Sequence, residues 1–238
     1  MRNRYSRAFY AMASTVAVTT VVGLTAAGAA SASTTRAKPD ITPPCGADCI
    51  TIYNQKYGDT YVLDNHKTRK RVGNKLELFA ASNSDSAEDF APIDEGTVDD
   101  FYDVGLVSAK LAFNYGTDTA YILEWAPYGV STGLCEGTAG TAHNGELVSL
   151  QVCGQNADTV WVVDSADADP TTGLEPQIAG TDTNFSDPQV LTTGGSPWLA
   201  SQPQLKTYRL ESFAGGQVYN TQLWFDPTVT PPGPAHHS

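Results

Sequence analysis

Between residues 50 and 226, apolar and polar positions alternate over short runs and rarely recur at the three-to-four-residue spacing of a helix. The runs are TYVLD, KLELFA, GLVSAKLAF, AYILEWA, LVSLQV, TVWVVD, QLKTYRLESF and TQLWF, and Gly, Asn, Asp, Ser or Pro separate them. A period of two puts successive side chains on opposite faces of an extended strand. Many such runs joined by turn residues predict an all-β sandwich or barrel, and each run is read here as a strand.

Three stretches, 60–90, 132–161 and 188–224, share one layout. Each has a strand, a polar loop, a second strand with alternating residues, a turn rich in Gly, Asn or Ser, and an aromatic residue opening a last strand. The closing aromatics are Phe90, Trp161 and Trp224. A third of a fold cannot bury its own apolar face, so three such units are expected to close round a shared core.

The ends read differently. Arg2, Arg4 and Arg7 precede an Ala/Val/Thr-rich run from about residue 8 to residue 30, which ends in Ala30-Ser31-Ala32. A basic start, an apolar centre and a small-x-small site are the layout of a secretory signal peptide over 1–32. Uncut, the run is long enough to be a membrane anchor. Residues 33–49 read as an unstructured lead-in, 50–226 as the folded domain and 227–238 as a Pro-rich flexible tail. The expectation is a secreted, extracellular protein with one domain, free of the membrane once the signal is removed.

Composition changes the picture in two ways. The formal net charge is −12, and removing the three N-terminal arginines makes the balance more negative. Such a surface repels phosphate backbones and anionic bilayers, so no nucleic-acid partner is expected. The four cysteines are Cys45, Cys49, Cys135 and Cys153. An even count in an exported chain favours disulfides, and of three possible pairings proximity favours Cys45–Cys49 and Cys135–Cys153. A metal site is the rival, but the chain lacks a second closely spaced Cys pair or nearby His ligands, so no metal and no cofactor are expected.

The residues of the second stretch carry a resemblance. Leu134-Cys135, Asn144-Gly145, the run VSLQVC ending at Cys153, and Thr159-Val160-Trp161 resemble a repeat of the ricin-type (R-type) lectins. The third stretch supplies an intact Gln222-Leu223-Trp224. The first supplies Asp64 in VLDNH, Phe79 in LELF and Glu88-Asp89-Phe90. The resemblance implies a β-trefoil of three pseudo-equivalent four-stranded repeats over 50–226, with the closing aromatics in the core. It also implies a secreted, non-catalytic carbohydrate-binding protein whose partner is a glycan or polysaccharide.

In that family each repeat can hold a shallow sugar pocket, made from an Asp near the first strand, an aromatic from the second, and Asn and Gln before the closing tryptophan. Carried over, the first unit matches best: Asp64 is at the Asp position, Phe79 at the stacking aromatic, Glu88 at the Gln position, and Ala87 replaces the Asn. In the second unit Gly137 and Gln151 replace the Asp and the aromatic, with Asp158 and Thr159 in place of Asn-Gln. In the third, Tyr208 falls near the aromatic position and Gln222 is kept, while the Asp is missing around Val190-Leu191. Blander readings stand beside these. Asp64 is next to a turn and its carboxylate could bond local backbone, and Phe79 could face outward or into the core.

The basic cluster His66, Lys67, Arg69, Lys70 and Arg71 lies between Asp64 and Phe79 in an acidic chain. It reads either as an attraction for anionic glycans or an acidic partner surface, or as a solvated loop balanced by the acidic stretch 88–103. That stretch lacks the ligand spacing of an EF-hand. No G-x-S-x-G or HExxH motif is present, and outside the tail only His66 and His143 could serve a nucleophilic site, so no enzymatic activity is expected. The alternative function is a trefoil interaction protein without sugar binding, such as a protease inhibitor presenting the basic loop.

Overall fold

The computed structural model describes residues 49–194 and 204–225. The expected signal peptide, most of the lead-in, the tail and Cys45 lie outside the described residues. Eleven strands are present among them: β1 (Tyr53–Asn54), β2 (Gly58–Asn65), β3 (Leu76–Ala80), β4 (Phe90–Thr97), β5 (Thr119–Trp125), β6 (Leu134–Thr138), β7 (Val148–Val152), β8 (Trp161–Val163), β9 (Gln177–Ala179), β10 (Gln189–Thr193) and β11 (Leu205–Arg209). Two short helices, α1 (Val98–Asp103) and α2 (Ala109–Tyr115), stand between β4 and β5.

Strand pairing closes a barrel. Ile50, just before β1, bridges Phe90 at the start of β4. Antiparallel pairing then runs from β4 to β5, β5 to β8 and β8 to β9. Trp224 bridges both Glu175, before β9, and Asn54 of β1, and so takes the place of a twelfth strand. Closure leaves no open sheet edge in this ring. The remaining strands form the hairpins β2–β3, β6–β7 and β10–β11. These meet one another through three equivalent bridges, Lys75 to Ser149, Leu147 to Lys206 and Gln204 to Glu77. A six-stranded barrel capped by a triangle of hairpins is a β-trefoil, and the register of the bridges fixes which residues are equivalent in the three units.

The core follows from that symmetry. Phe90, Trp161 and Trp224 are fully buried at the centre with Leu63, Leu76, Leu78, Leu150, Leu191 and Leu205. The two indoles donate to carbonyls at equivalent positions, Trp161 to Glu136 and Trp224 to Leu191. Amphipathic ring systems are buried here with the N–H paired.

One expectation fails on the helices. The alternation of GLVSAKLAF predicts a strand, but its second half is α2. Ser108 caps it by accepting from the Leu111 amide, and Thr97 and Asp100 form a reciprocal capping box at the start of α1. Val98, Phe101, Val107 and Leu111 pack on Ala120, Ile122, Val160, Val162, Ile178 and Val190, the side of the barrel strands away from the central core. AYILEW and WVV are therefore buried on both faces and read as nearly unbroken apolar runs.

Cys135 and Cys153 are disulfide-bonded, tying β6 to the residue after β7. Cys49 is disulfide-bonded as well.

Candidate functional site

The hairpin registers place Val62 opposite Phe79, Cys135 opposite Gln151 and Val190 opposite Tyr208. Two residues further along the first strand of each hairpin stand Asp64, Gly137 and Thr192. The carried-over equivalence of Phe79, Gln151 and Tyr208 is therefore geometric, and the third-unit counterpart of Asp64 is Thr192, just past Val190-Leu191.

In the first unit, Leu63, Leu76 and Leu78 enter the core, so Val62, Asp64, Glu77 and Phe79 share the opposite face. Phe79 is 52% exposed, the outward reading, whereas Asp64 is only 4% exposed. What covers Asp64 is the 3-10 turn Ser86–Glu88, which packs on β2. Asp85 starts that turn and accepts from the Ala87 amide at 3.0 Å. Glu88 ends it, and both its oxygens accept from the Ser82 amide, at 3.0 and 3.1 Å. Carboxylate oxygens of Asp64, Asp85 and Glu88 all lie within 4.8 Å of one another.

Two of these three acids, Asp64 and Glu88, resist ionisation. Burial first, and then the charges of Asp85, Glu77 and Glu88, push the Asp64 carboxyl up to about 7. Burial likewise raises Glu88 to about 7, against the lowering effect of the Ser82 amide, with Asp85 and Asp89 adding to the rise. Among the described residues no donor reaches the Asp64 carboxylate, so the reading in which it serves a local turn does not describe it. His66, one strand end away, pairs with Glu77 at 2.6 Å.

The other two units are closed at this position. In the second, a Cβ built on Gly137 would lie 2.3 Å from the Asp158 carbonyl oxygen, so the backbone of the turn Ala157–Thr159 fills the space an acid would need. Gln151 there donates to Ser149. In the third, Thr192 is fully buried and accepts from the Gln222 amide at 3.2 Å.

Glu88, Thr159 and Gln222 share a position two residues before the closing aromatic. Each accepts a main-chain N–H just beyond the unit's third strand, from Ser82, Gly154 and Glu211 respectively. The common job of this position is to latch the third strand to the fourth. Gln222 is fully buried, and its NH2 group donates to Arg209 as well as Thr192. Its polar atoms are thus committed inside the fold, whereas the Glu88 carboxylate adds an acid beside Asp64. Tyr208 is half-buried on the outer face of its hairpin.

The basic loop lies beside the turn that carries Glu88. Its turn His66–Thr68 packs beside Ser86–Glu88, and Lys67, Arg69, Lys70 and Arg71 are exposed. Lys67 and Thr68 have φ of 58° and 52°, the left-handed region that non-glycine residues seldom adopt.

Asp85 is the site residue that sequence reading passes over. The available signal is D-S-A-E, an Asp three residues before a Glu in a Ser-rich turn, but carboxylates in turns abound in this chain.

No protein-family model matches the chain, and no curated protein matches it. Several solved structures are similar in fold. A designed three-fold symmetric protein, ThreeFoil, is 15% identical with a TM-score of 0.45, over 73% of this chain and 94% of that one. A mosquitocidal holotoxin is 12% identical with a TM-score of 0.44, over 73% of this chain and 16% of that one. Polyporus squamosus lectin, solved with a human-type influenza-binding epitope, Neu5Aca2-6Galb1-4GlcNAc, is 10% identical with a TM-score of 0.40, over 73% of this chain and 47% of that one. The chain thus spans a small part of the holotoxin and about half of the lectin. The class is defined by the barrel and its hairpin cap: a β-trefoil in which, of the three equivalent positions, only the first carries an acid beside an exposed aromatic ring.

Proposed function

We propose that this is a secreted, non-catalytic carbohydrate-binding protein with one pocket, in the first unit, built on Asp64, Phe79 and Glu88. A sugar ring has an apolar face and a rim of hydroxyls. The exposed Phe79 ring offers a platform for the first, and the carboxylates offer acceptors for the second. Asp64 is largely withdrawn from water and no donor among the described residues reaches it, so a sugar hydroxyl that does so adds a hydrogen bond. The observation that carries the reading is the asymmetry of the three units: the second is filled by the Asp158 main chain and the third by the Thr192–Gln222 pair. Tyr208 is left with a subsidiary role at most, because the polar partners beside it are spent.

A glycan array followed by isothermal titration against the best hits is the test. Binding is expected to fall at least tenfold in both Asp64→Ala and Phe79→Ala, with Gln151→Ala unchanged. A sugar signal indifferent to both first-unit substitutions refutes the site.

A second reading has its own observation. The exposed basic loop, held at positive φ at two non-glycine residues, is a shape that presents side chains to a partner. If the trefoil serves only as a frame, the purified protein inhibits a trypsin-like protease and loses that inhibition on changing Lys70 and Arg71.

A further inference from the structure

The first unit has a feature that sugar recognition alone does not use. Three carboxylates converge there, with oxygens within 4.8 Å of one another, and among the described residues no Lys or Arg forms an ion pair with any of them. Asp64 is more than nine-tenths buried, has no hydrogen-bond donor, and is directed at Asp85 and Glu88. A buried carboxylate without a donor is costly to keep, and with two more carboxylates beside it gains most from a positive charge at their centre. The basic loop beside the turn Ser86–Glu88 does not supply it, since its Lys and Arg side chains are exposed.

We propose that Asp64, Asp85 and Glu88 form a binding site for a divalent cation of the calcium type. Oxygen ligands bound to one Ca2+ at about 2.4 Å can be separated by no more than about 4.8 Å, so the three groups are close enough to share an ion. Asp64 comes from β2 and the other two from the first and last positions of one turn, so the ion would staple the Ser86–Glu88 turn to the hairpin. The main-chain N–H groups that Glu88 and Asp85 already accept hold those two carboxylates in place. The set is irregular and mixes two buried acids with a half-buried one, which suits the adaptable shell of Ca2+ better than the strict octahedron of Mg2+. Three carboxylates leave part of a six-to-eight-oxygen shell unfilled. That hydroxyls of a stacked sugar complete the shell rests on the function proposed above; the ion site itself rests only on the three acids.

Isothermal titration of the full chain with CaCl2 alone, and thermal unfolding with and without it, is the experiment. One ion per chain is expected, with Kd in the range of about 10⁻⁴–10⁻³ M common for extracellular modules, and the melting temperature rises with Ca2+. Asp85→Asn keeps an acceptor for the Ala87 amide, so the turn survives; it and Asp64→Asn are each expected to weaken Ca2+ binding at least tenfold. Asp94→Asn, an exposed acid on β4, is expected to leave binding unchanged and controls for loose association with an acidic surface. Absence of both heat and a melting shift at 10-fold the upper Kd, about 10 mM Ca2+, overturns the site, as does binding that persists unchanged in both variants. The two proposals separate cleanly. Sugar binding that survives chelation by EDTA overturns metal-assisted recognition and leaves the pocket standing; Ca2+ binding without any sugar signal supports the ion site and removes the lectin reading.

Discussion

Glu136 stands where the other units place Leu63 and Leu191, pointing into the common core of the barrel. It is fully buried and neither carboxylate oxygen has a partner. Burial pushes its carboxyl up to about 8 from an ordinary value of 4.5. An acid with a raised folded-state value favours the folded protein when protonated. Its contribution is intact below pH 4.5, declines as the pH rises and is fully lost above about 8. The span corresponds to a penalty on the order of 5 kcal/mol at alkaline pH. Glu136→Leu, which restores the side chain found in the sister units, is expected to stabilise the protein. The gain over the parent should grow between pH 5 and pH 8 when both are followed by denaturant unfolding. A gain that is the same at both pH values rules this account out. The position was invisible in the sequence because only the inter-hairpin register reveals that it faces inward. Phe79 was half legible: alternation put it on the face away from Leu78, and only the fold showed that this face is open to solvent there.

At the scale of elements, the strands were legible because their alternation survives wherever one face is wet, as in KLELFA and LVSLQV. The insertion between the first two units was not. α1 and α2 have six and seven residues, too short for a helical period to emerge. In GLVSAKLAF the apolar residues that pack outside the barrel fall at intervals that also suit a strand. The decisive local signal is Ser108, whose hydroxyl accepts from the Leu111 amide, since Ser just ahead of an apolar turn marks a helix start. Ser108→Ala is expected to cost about 1 kcal/mol locally. Because the insertion packs on the outside of a barrel closed by other strands, the loss should appear as faster amide hydrogen exchange in α2 with little change in exchange of β5 and β8. Equal acceleration of the barrel strands would mean that the insertion is part of the global folding unit.

For the whole molecule, threefold repetition was readable from the closing aromatics, while inequality among the units was not. Gly137 in the sequence only removes an acid. In the fold it lets the Asp158 main chain come so close that no side chain fits. Replacement of Thr192 for Asp64 acts in the same direction through a buried hydrogen bond. The second unit carries the disulfide between Cys135 and Cys153, 18 residues apart in sequence. On the chain-entropy model it contributes roughly 3 kcal/mol. Replacing both cysteines by alanine is expected to lower the unfolding midpoint in denaturant while leaving the proposed first-unit sugar binding unchanged, because the loop it closes belongs to the second unit.

The bridges from Trp224 to Asn54 and to Glu175 also have a bearing on biosynthesis. The first and last segments of the domain complete one ring, so a nascent polypeptide halted before residue 222 lacks the piece that seals it. Until that piece has cleared the ribosome, the apolar inner walls have no complete enclosure. A holding chaperone, or an unfolded passage through a translocation channel, is compatible with such a chain, because its assembly is deferred to the moment the final tryptophan arrives.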